Sequence, residues 1–139
     1  KVLENLENKI ISSATLIDLT KAFDCISHIL LIDKLQNYGI KNKEINLIKS
    51  YLSGRKQMVT INNEKSDFKI TEKGVPQGSV LGPFLFIVAV NDLSFNMPSP
   101  TVLYADDTTL LNCDNNLDNF ITKQNNSTGM ALEWLDQMD

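Results

Sequence analysis

Thr101-Val102-Leu103-Tyr104-Ala105-Asp106-Asp107-Thr108-Thr109-Leu110-Leu111 is the stretch that decides the fold. Apolar, β-branched runs flank Tyr104-Ala105-Asp106-Asp107, which predicts two short strands joined by a tight turn with adjacent carboxylates at its tip. These like charges repel each other, and a divalent cation would turn that repulsion into binding, because Mg²⁺ prefers one or two carboxylates completed by substrate phosphates. A solvated turn is the alternative, since Asp is a favoured turn residue.

Another carboxylate follows a β-prone run near the start of the chain. Residues 14–17 predict a strand that ends at Asp18, and an open sheet presents its chemistry at such strand ends. The alternative is that Asp18 caps a helix or turn, because polar residues follow it at once. If its strand neighbours those around Asp106 and Asp107, the three carboxylates meet at one edge of the sheet.

The third unusual stretch is a loop, Gly74-Val75-Pro76-Gln77-Gly78-Ser79-Val80-Leu81-Gly82-Pro83. Its three glycines would let backbone approach a ligand closely, and Gln77 adds an amide donor and acceptor. The loop leads into a helix that begins near Ser79, with Pro83 in the first turn. Residues 84–93 are apolar nearly all round, which predicts a buried helix. A plain connection is the alternative for the loop.

The other elements follow from periodicity and from Gly, Asn and Ser signals. They are a short helix within residues 1–12, a helix capped by Asp24 or Ser27 and ended by Gly39, a helix capped by Asn42 and stopped by Gly54, a half-buried strand at 55–61 returning at 68–71 after a turn at 62–64, and an amphipathic helix at 117–138. This order predicts an α+β fold with helices packed on one face of a mainly antiparallel sheet.

Length and composition limit the class of protein. With 139 residues, 42% of them hydrophobic, the chain predicts one globular domain over residues 1–139. The longest apolar run, residues 84–90, is too short for a membrane span of ~20 residues. Cys25 and Cys113 are too isolated for a disulfide framework or a zinc site, which favours an intracellular protein. His28 is the only histidine, and a structural hydrogen bond is favoured over metal ligation.

Charge is unevenly distributed along the chain. Residues 34–73 hold nine bases and four acids, a net charge of +5, whereas residues 74–139 hold one base and eight acids, a net charge of −7. The overall charge of −4 alone argues against nucleic-acid binding. The asymmetry instead fits a basic surface beside an acidic centre that needs cations, with a solvated face as the alternative.

Three stretches resemble one family in order and spacing. They are Asp18-Leu19-Thr20-Lys21-Ala22-Phe23-Asp24, residues 76–83 and Tyr104-Ala105-Asp106-Asp107. The family is the reverse transcriptases, and residues 50–55 and 91–93 resemble its non-LTR, LINE-type retrotransposon branch. The resemblance covers roughly residues 14–138 and implies the palm of an RNA-directed DNA polymerase.

The resemblance also implies roles for residues. Asp18, Asp106 and Asp107 would hold two Mg²⁺ ions, with Mn²⁺ as a substitute, for nucleotidyl transfer from a deoxynucleoside triphosphate to a primer 3′-hydroxyl. Phe23 matches the aromatic that excludes a 2′-hydroxyl. Gln77 and Gly78 match residues lining the nucleotide pocket, and Tyr104 would support the primer terminus.

Family members carry fingers before the first motif and a thumb after the last, and the resemblance leads us to expect neither within these residues. We therefore expect a partial domain whose partners are an RNA template, a DNA primer and the fingers, thumb and endonuclease regions of a parent polyprotein. Acting alone, it is expected to be inactive, and the parent is expected in the nucleus or cytoplasm as a ribonucleoprotein. A non-catalytic nucleic-acid-binding module and a non-functional transposon remnant are the alternatives.

Overall fold

The computed structural model describes residues 2–19 and 21–138. In chain order the elements are α1 (Val2–Glu7), β1 (Ile11–Asp18), α2 (Ala22–Cys25), α3 (His28–Asn37), α4 (Asn42–Leu52), β2 (Lys56–Gln57), β3 (Thr60–Ile61), β4 (Glu64–Lys65), β5 (Lys69–Ile70), α5 (Leu81–Val90), α6 (Leu93–Asn96), β6 (Thr101–Tyr104), β7 (Asp107–Asp114) and α7 (Leu117–Asp136). Helices combined with antiparallel strands confirm the α+β class.

The chain divides into two compact units, which are described separately. The first unit comprises residues 1–20 and 90–137, and the second comprises residues 21–89 and 138–139. The interpretation of residues 1–139 as a single partial domain stays a prediction. Within the described ranges, no helix combines the length and hydropathy needed to cross a bilayer.

The first unit is built on a three-stranded antiparallel sheet in the order β1-β7-β6. The central strand β7 is 107 to 114, and its alternate residues Thr108, Leu110 and Asn112 are buried. Helix α7 packs against β7 and β1. Such two-residue alternation is expected of a strand with one covered face and one open face. The other face of the sheet is therefore free to carry the exposed residues of β1, β6 and β7.

Polar side chains fix helix α7 to the sheet. The amide of Gln124 accepts from Ser13 Oγ and from Asn112 Nδ2, and it donates to Thr15 Oγ1. Ser13 and Asn112 are direct partners in the β1–β7 register. Ser127 Oγ donates to Asn112 Oδ1 at 2.9 Å, and both residues are buried. One helix therefore bonds both strands at the same register position.

The ends of α7 and β7 are held by capping and by charge. Asn116 Oδ1 accepts from Asn119 N at 3.0 Å, a side-chain N-cap for the predicted helix. Lys123 Nζ donates to Asp114 Oδ2 at 2.6 Å, and this bond lowers the pKa of the Asp114 carboxyl and raises the pKa of the Lys123 ammonium. The bond is exposed and water screens its charges, so it contributes little to the free energy of unfolding.

The second unit has its own apolar core. Helices α3 and α4 pack together. The apolar residues of this unit with no more than 2% exposure are Ile26, Leu31, Leu35, Leu52, Val75, Leu85, Phe86 and Ala89. Near the C-terminal end of helix α5, the carbonyl of Ala89 accepts a hydrogen bond from Lys34 Nζ at 2.6 Å. Ile26, in the segment after Phe23, and Val75, in the loop before α5, both belong to this core.

Several local predictions were wrong. Ser27 is the N-cap position of α3 but its side chain makes no capping bond, and Asp24 lies inside α2. Asn42 begins α4 with φ +55° and the N-cap position is Lys41. Strands β2 to β5 are exposed rather than half-buried. Helix α5 is not apolar core all round, because Phe84 and Ile87 are exposed.

Gly74 is where two segments of the second unit approach most closely. A Cβ at this position would lie 2.7 Å from Asp24 Cα and from Phe23 O, and its φ is +78°. Two backbone hydrogen bonds accompany this approach, Gly74 N to Ile26 O at 2.8 Å and Val75 N to Phe23 O at 2.7 Å. Only glycine meets both the space and the φ requirement. The loop before α5 is therefore held directly against Phe23 and Asp24.

Gly74→Ala should reduce the free energy of unfolding by at least about 3 kcal/mol, because a left-handed conformation and a backbone clash add together. Gly54→Ala is the matched control: Gly54 has φ +66° but nothing within 4 Å of its added Cβ. We expect the control to lose only about 1–2 kcal/mol. Urea unfolding of the two variants measures the difference. Equal losses would contradict the close backbone approach.

Candidate active site

Asp18 and Asp107 face each other across neighbouring strands. Asp18 is the last residue of β1, Asp107 is the first residue of β7, and the two are direct partners in the antiparallel register. Directly opposed residues project from the same face with Cβ atoms about 4.5–5.5 Å apart. Both residues are exposed. The sheet thus pairs two carboxylates from positions far apart in sequence, as predicted for adjacent strands.

Asp106 occupies the turn between β6 and β7. Tyr104 and Asp107 pair across this hairpin, so Ala105 and Asp106 form a two-residue loop. Ala105 has φ +53°, a left-handed conformation that costs a residue with a Cβ about 1–2 kcal/mol. The predicted turn with carboxylates at its tip is confirmed, and its backbone is strained at the residue before Asp106.

The opposed pair suits a hard divalent cation. Mg²⁺ is commonly bound through one or two carboxylates, with water and substrate phosphates filling the other positions. Among residues 2–19 and 21–138, no group of three or more Asp, Glu, His or Cys side chains is arranged to hold a metal ion. Asp18 and Asp107 thus supply two opposed carboxylates, and metal binding by Asp18, Asp106 and Asp107 stays a prediction.

An open sheet face surrounds this pair. Tyr104 is the β6 partner of Asp107, and its side chain is 78% exposed. Leu16, two residues before Asp18 on the same strand face, is also 78% exposed. Val102 continues the face on β6 and is exposed as well. The carboxylates thus lie at one end of an uncovered face that carries apolar and aromatic side chains.

Phe23 belongs to the second unit and packs on its core. Its ring stacks on that of buried Phe86, with centroids 4.5 Å apart and an interplanar angle of 24°. Phe23 is only half-buried. Offset stacked pairs of this kind contribute about 0.5–1.5 kcal/mol beyond the area they bury. Phe23 therefore packs on the core with part of its surface accessible, and its role in a nucleotide pocket stays a prediction.

Gln77 and Gly78 lie at the tip of the loop before α5, and both are exposed. Gln77 Nε2 donates to Asp24 Oδ1 at 3.0 Å. Gly78 has φ +74° with open space around it, so its conformation rather than packing requires glycine. Ser79 Oγ accepts from Gly82 N at 2.9 Å and donates to Pro76 O at 2.7 Å, which caps the start of α5.

His28 has the structural role that was predicted. Its Nε2 lies 2.8 Å from Gly74 O, within the second unit. Protonated at Nε2, the ring donates to this carbonyl and helps to hold the Gly74 loop. His28 therefore supports the loop that presents Gln77.

Sequence reasoning missed the part that Asp24 plays. Asp24 lies within the quoted motif but was assigned only a possible capping role, whereas its carboxylate orients the Gln77 amide. No local pattern signals this bond, because the partners are 53 residues apart. The structure thus places the predicted residues in two groups: Asp18, Tyr104, Asp106 and Asp107 in the first unit, and Phe23, Gln77 and Gly78 in the second.

Comparison with known proteins bears on this arrangement. The family model for reverse transcriptase (RNA-dependent DNA polymerase) matches residues 3–130. A probable RNA-directed DNA polymerase from transposon BS of Drosophila melanogaster is 37% identical over 131 residues, which are 82% of this chain and 14% of that protein. The RNA-directed DNA polymerase from mobile element jockey of Drosophila funebris is 40% identical over 91 residues, 66% of this chain and 10% of its own length.

A further relative comes from a different retrotransposable element. The Pol polyprotein from type-1 retrotransposable element R2 of Popillia japonica is 31% identical over 109 residues, 68% of this chain and 15% of that protein. The chain thus spans about one-tenth to one-seventh of the length of these relatives. These relatives confirm the resemblance to the non-LTR retrotransposon branch. By the extent of the family match, this chain belongs to the reverse transcriptase (RNA-dependent DNA polymerase) family.

Proposed function

We propose that this chain supplies the palm of an RNA-directed DNA polymerase and that Asp18, Asp106 and Asp107 bind two Mg²⁺ ions during nucleotidyl transfer. The observation that carries the proposal is the pairing of Asp18 with Asp107 at the end of an open sheet face. A fold gains nothing from two opposed carboxylates, since like charges in this position destabilise a sheet. A bound cation would offset the repulsion between the two carboxylates.

The proposed reaction forms one bond and breaks another at phosphorus. The primer 3′-hydroxyl oxygen bonds to the α-phosphorus of a deoxynucleoside triphosphate, the bond to the β-phosphate oxygen breaks, and pyrophosphate leaves while the hydroxyl proton passes to solvent. Bound Mg²⁺ would activate the attacking oxygen and stabilise the leaving one. The carboxylates contribute by fixing position and charge, which supply most of the catalysis in phosphoryl transfer.

The side chains of the second unit would select the substrate. Phe23 is held by its stack on Phe86, so its accessible edge could exclude a 2′-hydroxyl without moving. Gln77, oriented by Asp24, would contact the nucleotide, and the bare backbone of Gly78 would line the same pocket. Tyr104, on the open sheet face, would support the primer terminus. An RNA template, a DNA primer and the remaining regions of a parent polyprotein are the proposed partners.

A thermal melt with Mn²⁺ and a deoxynucleoside triphosphate tests the carboxylate site. Binding to the folded chain raises its melting temperature, by the equivalent of about 2.7 kcal/mol at a ligand concentration one hundred times Kd. We expect the increase in the parent chain and its loss in Asp106→Asn. Asp67→Asn removes an exposed carboxylate from the second unit and should keep the full increase.

Three other outcomes would each have a different meaning. An increase that Asp106→Asn and Asp67→Asn retain equally would assign binding to general charge and overturn the site. A cooperative melt that metal and nucleotide leave unchanged would favour the non-catalytic nucleic-acid-binding module. Absence of a cooperative transition in the parent would show that the chain needs the rest of its polyprotein to fold.

Without metal, Asp107→Asn should stabilise the chain. Removing one of two opposed like charges is expected to raise the free energy of unfolding by about 0.2–1 kcal/mol. The gain should shrink at high salt because the pair is exposed. Urea unfolding in EDTA measures it, and a double-mutant cycle with Asp18→Asn isolates the coupling. Additive effects of the two substitutions would argue against direct opposition of the carboxylates.

Phe23→Val should relax discrimination between sugars. The smaller side chain leaves space where the ring stood, so the ratio of ribonucleotide to deoxynucleotide dissociation constants should fall. Titration of the chain with paired ribo- and deoxynucleoside triphosphates in Mn²⁺ measures the ratio. Phe23→Tyr keeps the ring and should keep the ratio. A folded Phe23→Val chain with an unchanged ratio would overturn the role assigned to Phe23.

A further inference from the structure

The second unit contains a cavity that none of the proposed catalytic roles uses as a whole. Its volume is about 510 Å³. The lining residues are Lys21, Asp24, Arg55, Gln57, Thr71, Lys73, Gly74, Val75 and Gln77. Three cations and one carboxylate give this lining a net charge of +2. A protein with an overall charge of −4 thus concentrates positive charge around one concave surface.

Three segments build the cavity, and hydrogen bonds join them. Thr71 N donates to Arg55 O at 2.9 Å, which fixes the strand of Arg55 to the returning strand. Gln77 Nε2 donates to Asp24 Oδ1 at 3.0 Å, which joins the loop before α5 to the segment after Lys21. The close approach at Gly74 holds the same two segments together. Hydrogen bonds and close packing therefore hold the three lining segments in place.

Arg55 is the side chain that most needs a ligand. Its Nη1 is buried and has no hydrogen-bond partner among the residues that the structure describes. An unsatisfied buried donor carries its full desolvation cost, and most such groups in proteins are paired. The single carboxylate of the lining, Asp24, already accepts from Gln77. A small rotation of the guanidinium toward an anion in the cavity would satisfy this donor.

The lining chemistry indicates which anion is suitable. None of the described residues that line the cavity is aromatic, so none of them would stack on a nucleic-acid base. Guanidinium binds phosphate oxygens through paired parallel hydrogen bonds, and lysine adds a point charge. Gln57, Thr71 and Gln77 offer further donors around the same space. Phosphate groups match this set better than bases or apolar ligands do.

We infer that this cavity is a phosphate-binding site with Arg55 as its principal ligand and Lys21 as a second cation. The phosphate could come from the triphosphate of a nucleotide or from the backbone of a nucleic-acid strand, since both present the same oxygen atoms. The inference does not rest on the proposed catalysis, because it involves the second unit alone and no metal ion.

Isothermal titration of the chain in EDTA tests the site with two separate probes. One is sodium tripolyphosphate, and the other is a single-stranded oligodeoxynucleotide without terminal phosphates. EDTA removes divalent ions, so a failure of the carboxylate site cannot alter the result. We expect Arg55→Gln to weaken binding of at least one probe about tenfold, the effect of one charged hydrogen bond.

Lys56→Gln is the matched control, since it removes the same charge one residue away and Lys56 does not line the cavity. It should weaken binding much less than Arg55→Gln, while Arg55→Lys should fall between the parent and Arg55→Gln. The melting temperatures of Arg55→Gln and Arg55→Lys should not fall below that of the parent, because both substitutions remove the Arg55 Nη1, a buried donor that carries a desolvation cost.

Each outcome decides the inference. A loss confined to tripolyphosphate supports the site and identifies a triphosphate. A loss confined to the oligonucleotide supports the site and identifies the ligand as the backbone of a nucleic-acid strand. In that case the slope of log affinity against log salt concentration should be smaller in Arg55→Gln than in the parent by about 0.7. Equal losses in Arg55→Gln and Lys56→Gln, or absence of parent binding to both probes, would overturn the site.

Discussion

The register between β1 and β7 is the constraint on which the candidate site depends. Side chains alternate between faces of a strand, so a slip of one residue would move Asp18 to the face opposite Asp107. The network of Gln124 opposes such a slip, because its amide bonds Ser13 and Asn112, which are partners in the same register. Helix α7, the element that follows β7, thus helps to set which face the carboxylates share.

The sequence predicted those features whose cause is local. The hairpin around Asp106, the strand that ends at Asp18, the long helix after Leu117 and the structural role of His28 are all present. Each follows from a short pattern or from the absence of alternatives, such as a second histidine. The pairing of Asp18 with Asp107 was a conditional expectation, and the strand order satisfies its condition.

Other features of the structure were not predicted from the sequence. Asn42 carries a capping residue type, yet the helix takes Lys41 as its cap position. The apolar residues at 58–61 suggest a half-buried strand, but the hairpin that holds them is exposed throughout. The bond from Gln77 to Asp24 and the orphan Nη1 of Arg55 have no signature in local spacing. The bond from Gln77 to Asp24 joins segments that meet only after folding.

Segregation of charge explains how an acidic chain would suit the anionic ligands proposed for it. All nine bases between residues 34 and 73 lie in the second unit, where Arg55 and Lys73 line the basic cavity. The acids Asp106 and Asp107 lie in the first unit, where they would bind cations. The Debye length at physiological ionic strength is about 8 Å, so a ligand responds to the charges close to it rather than to the total. Net charge therefore predicts little about this chain's ligands, and the placement of Arg55 and Asp107 predicts more.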